Sequence, residues 1–238
     1  MEGQALNKLI TVEIVVEGPT ENKFVKQVLA PYWGMRNIFV HAPVVRTKTD
    51  ERHGLVFKGG DIRFDRVERQ IGNFLSQRDD IVVASFVDYY GIQEWPGYAS
   101  IQASDSPRKI AERLNVAAKE KICQDYAEFT PDNRYFPFTA VHEFEALLFS
   151  DSKVLAEKLG IDQAEVDDAL TQCGSPEAIN NSPETAPSKR LETWTCNRYG
   201  KTTNGIVIAK AIGIDKMRLA CPNFDAWLRS IEILQTEE

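Results

Sequence analysis

The sequence predicts an α/β protein in which a mostly parallel, Rossmann-like sheet is flanked by helices. Along the first 150 residues, apolar runs rich in β-branched residues alternate with segments whose apolar residues recur at helical spacing. This alternation favours βαβ units over an all-β fold or a helical bundle. In addition, the residues that follow Asp80 are continuously apolar or small as far as Val87. Such a run is typical of a central strand that is buried on both faces.

The first β/α unit begins with a strand over residues 12–16, which is followed directly by Glu17. A glycine and a proline then turn the chain. Thr20 is a suitable N-cap for the next helix, which we expect Pro31 to end. The apolar face of that helix contains Phe24, Val25, Val28 and Leu29. Ligands of open α/β sheets bind beyond the carboxyl ends of the strands. Glu17 is therefore expected at a position where an acid can bind a metal ion or take part in phosphate chemistry.

The second unit begins with residues 37–45, an extended run that a proline interrupts and that we therefore expect to be a short or edge strand. The most basic stretch of the chain follows, and it is expected to be a loop, either able to meet phosphate or simply solvated. A helical stripe is then formed by Ile62, Val67, Ile71, Phe74 and Leu75. The strand over residues 80–87 leads into Asp88, which occupies the same position as Glu17. The two acids converge if their strands are neighbours in a parallel sheet.

A third unit starts with the loop of residues 93–104, which is placed to act as a lid. A helix begins at Ser106, and residues 134–141 form the next strand, which leads into Glu143 and Glu145. In a strand these two acids would share a face, whereas in a helix they would diverge by about 200°, so that at most one would point into the cleft. We favour Glu143, because an acid in the first helical turn suits the helix dipole.

The C-terminal part has a different character, with short helices, a polar loop over residues 174–189 and a closing amphipathic helix. We therefore expect an α/β core over residues 8–150 and a helical extension over residues 151–238. The extension is expected to pack on the core as one compact unit.

Composition narrows the function classes. A net charge of −7 argues against a generally basic nucleic-acid coat, although an enzyme can still touch nucleic acid through a local basic surface. The four cysteines form no C-x-x-C pair, so neither a zinc site nor a disulfide framework is indicated, and a cytoplasmic location is expected. No run approaches the ~20 apolar residues of a membrane helix, and no signal peptide is recognisable. Nucleotide-binding glycine motifs and the serine-hydrolase elbow are missing from the sequence.

Three acids recur at the ends of predicted strands. Glu17, Asp88 and Glu143 each follow a predicted strand, and burying like charges together is unfavourable unless a cation neutralises them. Carboxylates select a hard cation, so Mg²⁺ or Mn²⁺ is expected. Glu21 fits a capping or supporting role at the start of the first helix, and His142 fits a supporting role beside Glu143.

Four segments carry a resemblance to a known family. Residues 16–21 (VEGPTE) and residues 86–91 (FVDYYG) look like the TOPRIM core of topoisomerases, primases and OLD-type (overcoming lysogenization defect) nucleases. Together with residues 142–149 (HEFEALLF) and residues 221–228 (CPNFDAWL), they resemble an uncharacterised bacterial TOPRIM-like family of about this length. The resemblance covers nearly the whole chain.

The resemblance implies a TOPRIM-like metal site in which Glu17 matches the motif glutamate and Asp88 the first aspartate of a D-x-D pair. It also implies a setting in phage defence beside a partner ATPase. The sequence departs from the pattern at Tyr90, where a second aspartate is expected. A two-metal arrangement is therefore open to question unless Glu143 or Glu145 supplies the missing carboxylate.

The leading hypothesis is a Mg²⁺-dependent nuclease or related phosphodiester-cleaving enzyme. Glu17, Asp88 and Glu143 would be catalytic and would hold the metal together with Glu145, while Glu21, His142 and Tyr90 would support them. The substrate would be nucleic acid, with DNA favoured over RNA, and its backbone would be held by Arg46, Lys48, Lys189 and Arg190.

Two other hypotheses remain at this stage. The first is a catalytically silent TOPRIM-like adaptor that binds a partner ATPase or nucleic acid, and Tyr90 favours it. The second is a small-molecule phosphohydrolase. The oligomeric state, endonuclease versus exonuclease action and one metal versus two stay open at this point.

Overall fold

A computed structural model of the protein describes residues 8–50, 55–58, 62–180 and 185–236. The strands are β1 (Ile10–Val16), β2 (Ile38–His41), β3 (Arg46–Asp50), β4 (Leu55–Lys58), β5 (Ile62–Arg63), β6 (Ile81–Asp88), β7 (Ile92–Gln93) and β8 (Tyr135–Ala140). Four of them form one sheet in the order β2-β1-β6-β8, and every neighbouring pair in it is parallel. The predicted α/β class with a parallel sheet is therefore confirmed.

Helices flank the sheet and make up the C-terminal part. The α-helices are α1 (Pro19–Phe24), α2 (Ala30–Gly34), α3 (Phe64–Gln77), α4 (Pro107–Asp125), α5 (Ser152–Leu159), α6 (Gln163–Cys173), α7 (Pro187–Trp194), α8 (Ile206–Ile212), α9 (Ile214–Ala220) and α10 (Pro222–Glu232). Two π-helices cover Val25–Leu29 and Lys201–Gly205, and the 3₁₀ helices are Tyr98–Ser100, Ala127–Phe129, Pro131–Asn133, Phe144–Ser150, Pro176–Ala178 and Ile233–Gln235. None of the helices in the described part of the chain is long and apolar enough to cross a membrane.

The register of the sheet sets the position of the acids. Val16 is paired with Phe86 across β1 and β6, and Asp88 is paired with Ala140 across β6 and β8. Because the three strands are parallel, their carboxyl ends meet at one edge of the sheet. Glu17, Asp88 and the segment after Ala140 are therefore brought to the same place.

The sheet separates two apolar cores. On one face, Phe24, Phe86 and Phe138 pack with Phe224 and Trp227 of α10, at ring-centroid distances of 5.0–6.2 Å. On the other face, residues of α3 and α4 pack against Val15 of β1 and the opposite side of β6. The C-terminal helices thus share a core with the first strand, and this packing fixes their position over one face of the sheet.

Several local expectations were wrong. The first helical region does not end at Pro31 but continues to Gly34, because the π-helix Val25–Leu29 closes just before the proline. Pro31 is the second residue of α2, which continues the helical backbone of the π-helix without a break. Ile62 lies in the short strand β5 rather than in a helix. The basic stretch expected to be a loop contains the antiparallel strands β3 and β4.

Candidate active site

Glu17 and Asp88 converge, as their strand-end positions predict. The backbone N–H of Glu17 donates to the carbonyl of Phe86 at 3.3 Å, which carries the ladder between β1 and β6 one residue beyond β1. In return, the Glu17 carboxylate accepts the backbone N–H of Asp88, with 3.1 Å between N and Oε2. The two acids are therefore joined directly across the end of the sheet.

Gly91 leaves the space that the Glu17 carboxylate occupies. A Cβ atom built at position 91 would lie 2.3 Å from Oε1 of Glu17, which is well inside van der Waals contact. The turn that carries Gly91 is closed by its N–H, which donates to the Asp88 carbonyl at 3.0 Å. The glycine is needed here for close approach of a side chain to the backbone.

The Asp88 carboxyl group lies at the centre of the cluster. Its Oδ1 is buried and accepts no hydrogen bond from the residues that the structure describes. Burial raises the pKa of Asp88 well above its ordinary value, and the nearby carboxylates of Glu21 and Glu17 raise it further. A buried carboxylate oxygen without a donor is unfavourable, so this atom is suited to bind a cation or a proton.

Glu143 and Glu145 both reach the cluster, in contrast to the expectation that at most one of them would. The ammonium of Lys201 lies 3.0 Å from Oε1 of Glu143 and 3.5 Å from Oε2 of Glu145. Glu143 has extended backbone angles and precedes the 3₁₀ helix Phe144–Ser150, which contains Glu145. The pair therefore follows neither strand nor α-helix periodicity, and both side chains meet the same cation.

Three residues outside the predicted site hold these glutamates. Ser188 donates to Glu143 from its hydroxyl and from its backbone N–H, both at 2.9 Å. The hydroxyl of Tyr199 donates to Glu145 at 3.4 Å. Burial lowers the pKa of Lys201, but Glu145 and Glu143 outweigh that effect, so the pKa lies above its ordinary value and the ammonium stays charged.

In the sequence, Lys201 belongs to a polar, basic loop, and no local pattern relates it to acids far away along the chain. The one structural signal near it is backbone geometry. Cys196 and Asn197 have left-handed φ angles of 50° and 60°, and Lys201 begins a π-helix. π-Helical turns occur frequently at functional sites.

The three supporting residues lie around this cluster. Glu21 accepts the backbone N–H of Gly18 at 2.9 Å, and burial raises the pKa of Glu21. Gly18 is therefore the N-cap of α1, and Thr20, which the sequence suggested for that position, lies inside the helix. His142 is buried, and burial lowers its pKa to about 4, so the ring is neutral at pH 7. Tyr90 stacks on His142 with the ring centroids 6.2 Å apart, and its hydroxyl accepts a hydrogen bond from Asn180.

The four basic residues proposed to hold nucleic acid fall in two places. Arg46 and Lys48 lie on β3, paired with β4, and their side chains lie outside the described part of the structure. Lys189 is exposed and forms an ion pair with Glu192 at 2.6 Å, while Arg190 donates to the Thr185 carbonyl at 2.9 Å. Both lie in the first turn of α7 after Ser188, the residue that contacts Glu143.

The cluster holds more carboxyl groups than cations. Five carboxylates surround the ammonium of Lys201, namely Glu17, Glu21, Asp88, Glu143 and Glu145. Burial raises the pKa of Glu17 and of Glu145 to about 7 each. The oxygen donors and the bare Oδ1 of Asp88 fit a hard divalent cation. Within the described residues, no three His, Cys, Asp or Glu side chains are already arranged around a common metal position.

Comparison with known proteins gives a family and one structural relative. A family model described as a domain of unknown function, DUF4276, matches residues 16–232, a span that contains the five acids and Lys201. No curated protein matches the sequence. The C-terminal region of the Burkholderia pseudomallei OLD protein is similar in structure, with a TM-score of 0.45 and 17% identity over 96% of this chain and 98% of that chain. At this level of similarity, the match carries no information on activity.

Proposed function

The chain belongs to the DUF4276 family, and we propose that it is a metal-dependent phosphodiester-cleaving enzyme, a nuclease of TOPRIM-like type. One observation carries the proposal: Asp88 presents a buried carboxylate oxygen without a hydrogen-bond donor in a cluster of five carboxylates at the carboxyl ends of β1, β6 and β8. A cluster maintained only for stability would not gather so many like charges, because each ionised carboxylate raises the free energy of the others.

The metal would be held by Glu17, Asp88 and Glu143, with Glu145 close behind them. When bound, Mg²⁺ or Mn²⁺ in a site of this kind activates water and offsets charge on the scissile phosphate. The carboxylates would have to shift from their present contacts, and the ion pairs of Lys201 with Glu143 and Glu145 are the contacts that would change most.

The chain's own residues orient and protect this site. Ser188 fixes the carboxylate of Glu143 with two hydrogen bonds, and Tyr199 restrains Glu145. Glu17 is tied to the backbone of Asp88, so the two acids move together. His142 stays neutral above about pH 4, and both of its ring nitrogens are buried without a hydrogen-bond partner among the described residues.

The substrate we propose is nucleic acid, with DNA favoured over RNA. Lys189 and Arg190, which follow Ser188 at the start of α7, would contact the phosphate backbone. Arg46 and Lys48 remain candidates on β3. A partner ATPase in phage defence belongs to the same proposal and rests on the family resemblance of the sequence motifs.

Manganese titration with two matched variants tests the proposal. Asp88→Asn removes a charge from the cluster, and Asp80→Asn removes one at the opposite end of the same strand, where Asp80 is exposed and pairs with Arg78. Calorimetry should show Mn²⁺ binding by the wild type and by Asp80→Asn, and binding at least tenfold weaker in Asp88→Asn. Mn²⁺-dependent cleavage of linear DNA, supercoiled DNA or RNA should follow the same order. Absence of both carboxylate-dependent Mn²⁺ binding and cleavage in the wild type would contradict the proposal.

A second candidate function is a catalytically silent adaptor for a partner ATPase or nucleic acid. The ion pairs of Lys201 favour it, because an ammonium already neutralises part of the cluster. Tyr90, at the position of a second aspartate, favours it as well. In this case the wild type would bind a nucleic acid or a protein partner without cleaving any of the polymers tested, and Asp88→Asn would bind equally well.

A further inference from the structure

A row of aromatic rings leads from the surface to the acid cluster. Tyr98 stacks on Tyr89, with the ring centroids 5.6 Å apart and the planes 24° apart. Tyr89 meets Tyr90 at 5.5 Å, and Tyr90 in turn stacks on His142 at 6.2 Å and 29°. We call these four residues the aromatic row.

Two rings of the aromatic row are open to solvent. Tyr90 retains 53% of its accessible surface and Tyr98 retains 44%. Large aromatic side chains tend to be buried in a globular protein. The two exposed tyrosines are connected through the ring of Tyr89. Together they form a surface on which a further flat group can stack.

The aromatic row is held in place from below. Trp95 is buried edge-on against Phe64 at 5.0 Å and anchors the loop that carries Tyr98. Gly97 has a φ of 79°, and a Cβ atom there would lie 2.9 Å from the Cβ of Ala117 on α4, so the backbone packs tightly against that helix. Asn180 donates to the hydroxyl of Tyr90. The rings are thus fixed before any ligand binds, which lowers the entropic penalty of stacking.

The inner end of the aromatic row adjoins the proposed active site. Tyr90 is two residues beyond Asp88, and its partner ring, His142, precedes Glu143. The N–H of Tyr89 donates to the Ala140 carbonyl at 2.8 Å, so the tyrosines continue the line of β6 beside β8. A group stacked on Tyr90 would consequently lie at the rim of the carboxylate cluster.

We propose that the aromatic row binds unpaired nucleobases next to the scissile phosphate, so that the preferred substrate is single-stranded or locally unpaired nucleic acid. This inference rests on the proposed phosphodiesterase function and deepens it. Every base has a π-face, so stacking on tyrosine tolerates any sequence, whereas the bases of an intact duplex already stack on one another. A chain of net charge −7 gains little from general electrostatic attraction to phosphates. Stacking supplies binding energy that charge does not.

The test uses the full chain and a 12-nucleotide DNA strand with a central 2-aminopurine, whose fluorescence is quenched on stacking. Ca²⁺ replaces Mg²⁺ to permit binding without turnover. The wild type should bind the single strand more tightly than the matching duplex and quench the probe. Tyr90→Ala should weaken binding to the single strand roughly 5- to 150-fold, the range expected for one lost stacked base, and should abolish the quenching.

Two further variants separate stacking from folding and from general aromatic exposure. Tyr90→Phe keeps the ring but loses the hydrogen bond with Asn180, so it should bind and quench like the wild type. Phe39→Ala removes an aromatic ring of similar exposure, 50%, on the opposite edge strand β2, and should have no effect. Equal binding of single strand and duplex, or wild-type binding by a folded Tyr90→Ala, would overturn the proposal.

Mn²⁺ affinity, measured on the same variants, distinguishes failure of the stacking proposal from failure of the proposed function. Phe39→Ala should bind Mn²⁺ as the wild type does, because β2 lies at the far edge of the sheet and contributes no residue to the acid cluster. Normal Mn²⁺ binding without a single-strand preference would reject only the aromatic row. A wild type that binds no Mn²⁺ would reject the phosphodiesterase itself.

Discussion

Glu145 makes the protein less stable as the pH rises, and Glu145→Gln should remove that effect. The side chain of Glu145 is 1% exposed, and burial raises its pKa from 4.5 to about 7. The unfolded chain ionises near the ordinary value. The stability that the protonated side chain contributes is therefore fully present below about pH 4.5 and is lost as the pH rises through about 7.

The size of the effect follows from the two pKa values. At about 1.36 kcal/mol per pKa unit, a rise from 4.5 to about 7 corresponds to roughly 3 kcal/mol of unfolding free energy between pH 4.5 and pH 8. The free energy of unfolding of a typical domain is about 5–15 kcal/mol, so one side chain changes it by a substantial fraction. Glutamine keeps an acceptor for Tyr199 and cannot ionise.

Urea unfolding in the presence of EDTA, at pH 5 and pH 8, measures the difference. Wild type should lose about 2.5 kcal/mol more than Glu145→Gln between the two pH values, because the unfolded chain is already mostly ionised at pH 5. Glu157→Gln is the matched control, because Glu157 is 64% exposed on α5, and its pH dependence should equal that of the wild type. If Glu145→Gln and the wild type share one pH dependence, Glu145 is ionised at neutral pH in the folded protein and the reasoning is wrong.

Three further substitutions test other contacts. Gly91→Ala should reduce Mn²⁺ affinity at least tenfold by displacing the Glu17 carboxylate, measured by calorimetry; unchanged affinity would show that the space beside Gly91 is not needed. Arg134→Met should lower the unfolding free energy by about 3 kcal/mol in urea titrations, because its buried guanidinium donates to several backbone carbonyls; a change below about 0.5 kcal/mol would contradict this. Glu177→Gln should lower the unfolding free energy by about 1 kcal/mol in the same assay, because the Glu177 carboxylate accepts the backbone N–H groups of Asn223 and Phe224 at the start of α10, at 3.0 Å each. A variant as stable as the wild type would exclude a contribution of this cap.

The sheet and its acids could be predicted because their signals are local. The apolar runs that form β1, β6 and β8 are contiguous in sequence, and parallel pairing places their ends together whatever the detailed packing. Glu17 and Asp88 could be assigned to one edge for that reason. The expectation for Pro31 failed because one extra residue in a π turn changes the hydrogen-bond phase of a helix, and no composition signal marks such a turn.

The position of Lys201 beside the acids could not be predicted in the same way. Lys201 follows Glu143 by 58 residues, and its position depends on how the C-terminal helices pack over the sheet rather than on any pattern near it. Ser188 and Tyr199 reach the glutamates through the same packing. Long-range contacts of this kind combine many weak apolar interactions, so no single residue pair in the sequence specifies them.

The proposed metal site accounts for carboxyl groups that Lys201 alone does not. If the five carboxylates served only to hold Lys201, two would suffice, and Glu143 and Glu145 already contact it. Glu17, Glu21 and Asp88 add carboxyl groups beyond those that one ammonium offsets, and burial raises the pKa of each of them, so that ionising them all is unfavourable. A fold retains such a destabilising excess where the charge has a function. The additional carboxyl groups lie around the Asp88 Oδ1 atom, which has no hydrogen-bond partner among the described residues, at the end of the strand next to that of Glu17. A divalent cation bound there would stabilise the protein most at high pH, where these carboxylates are ionised.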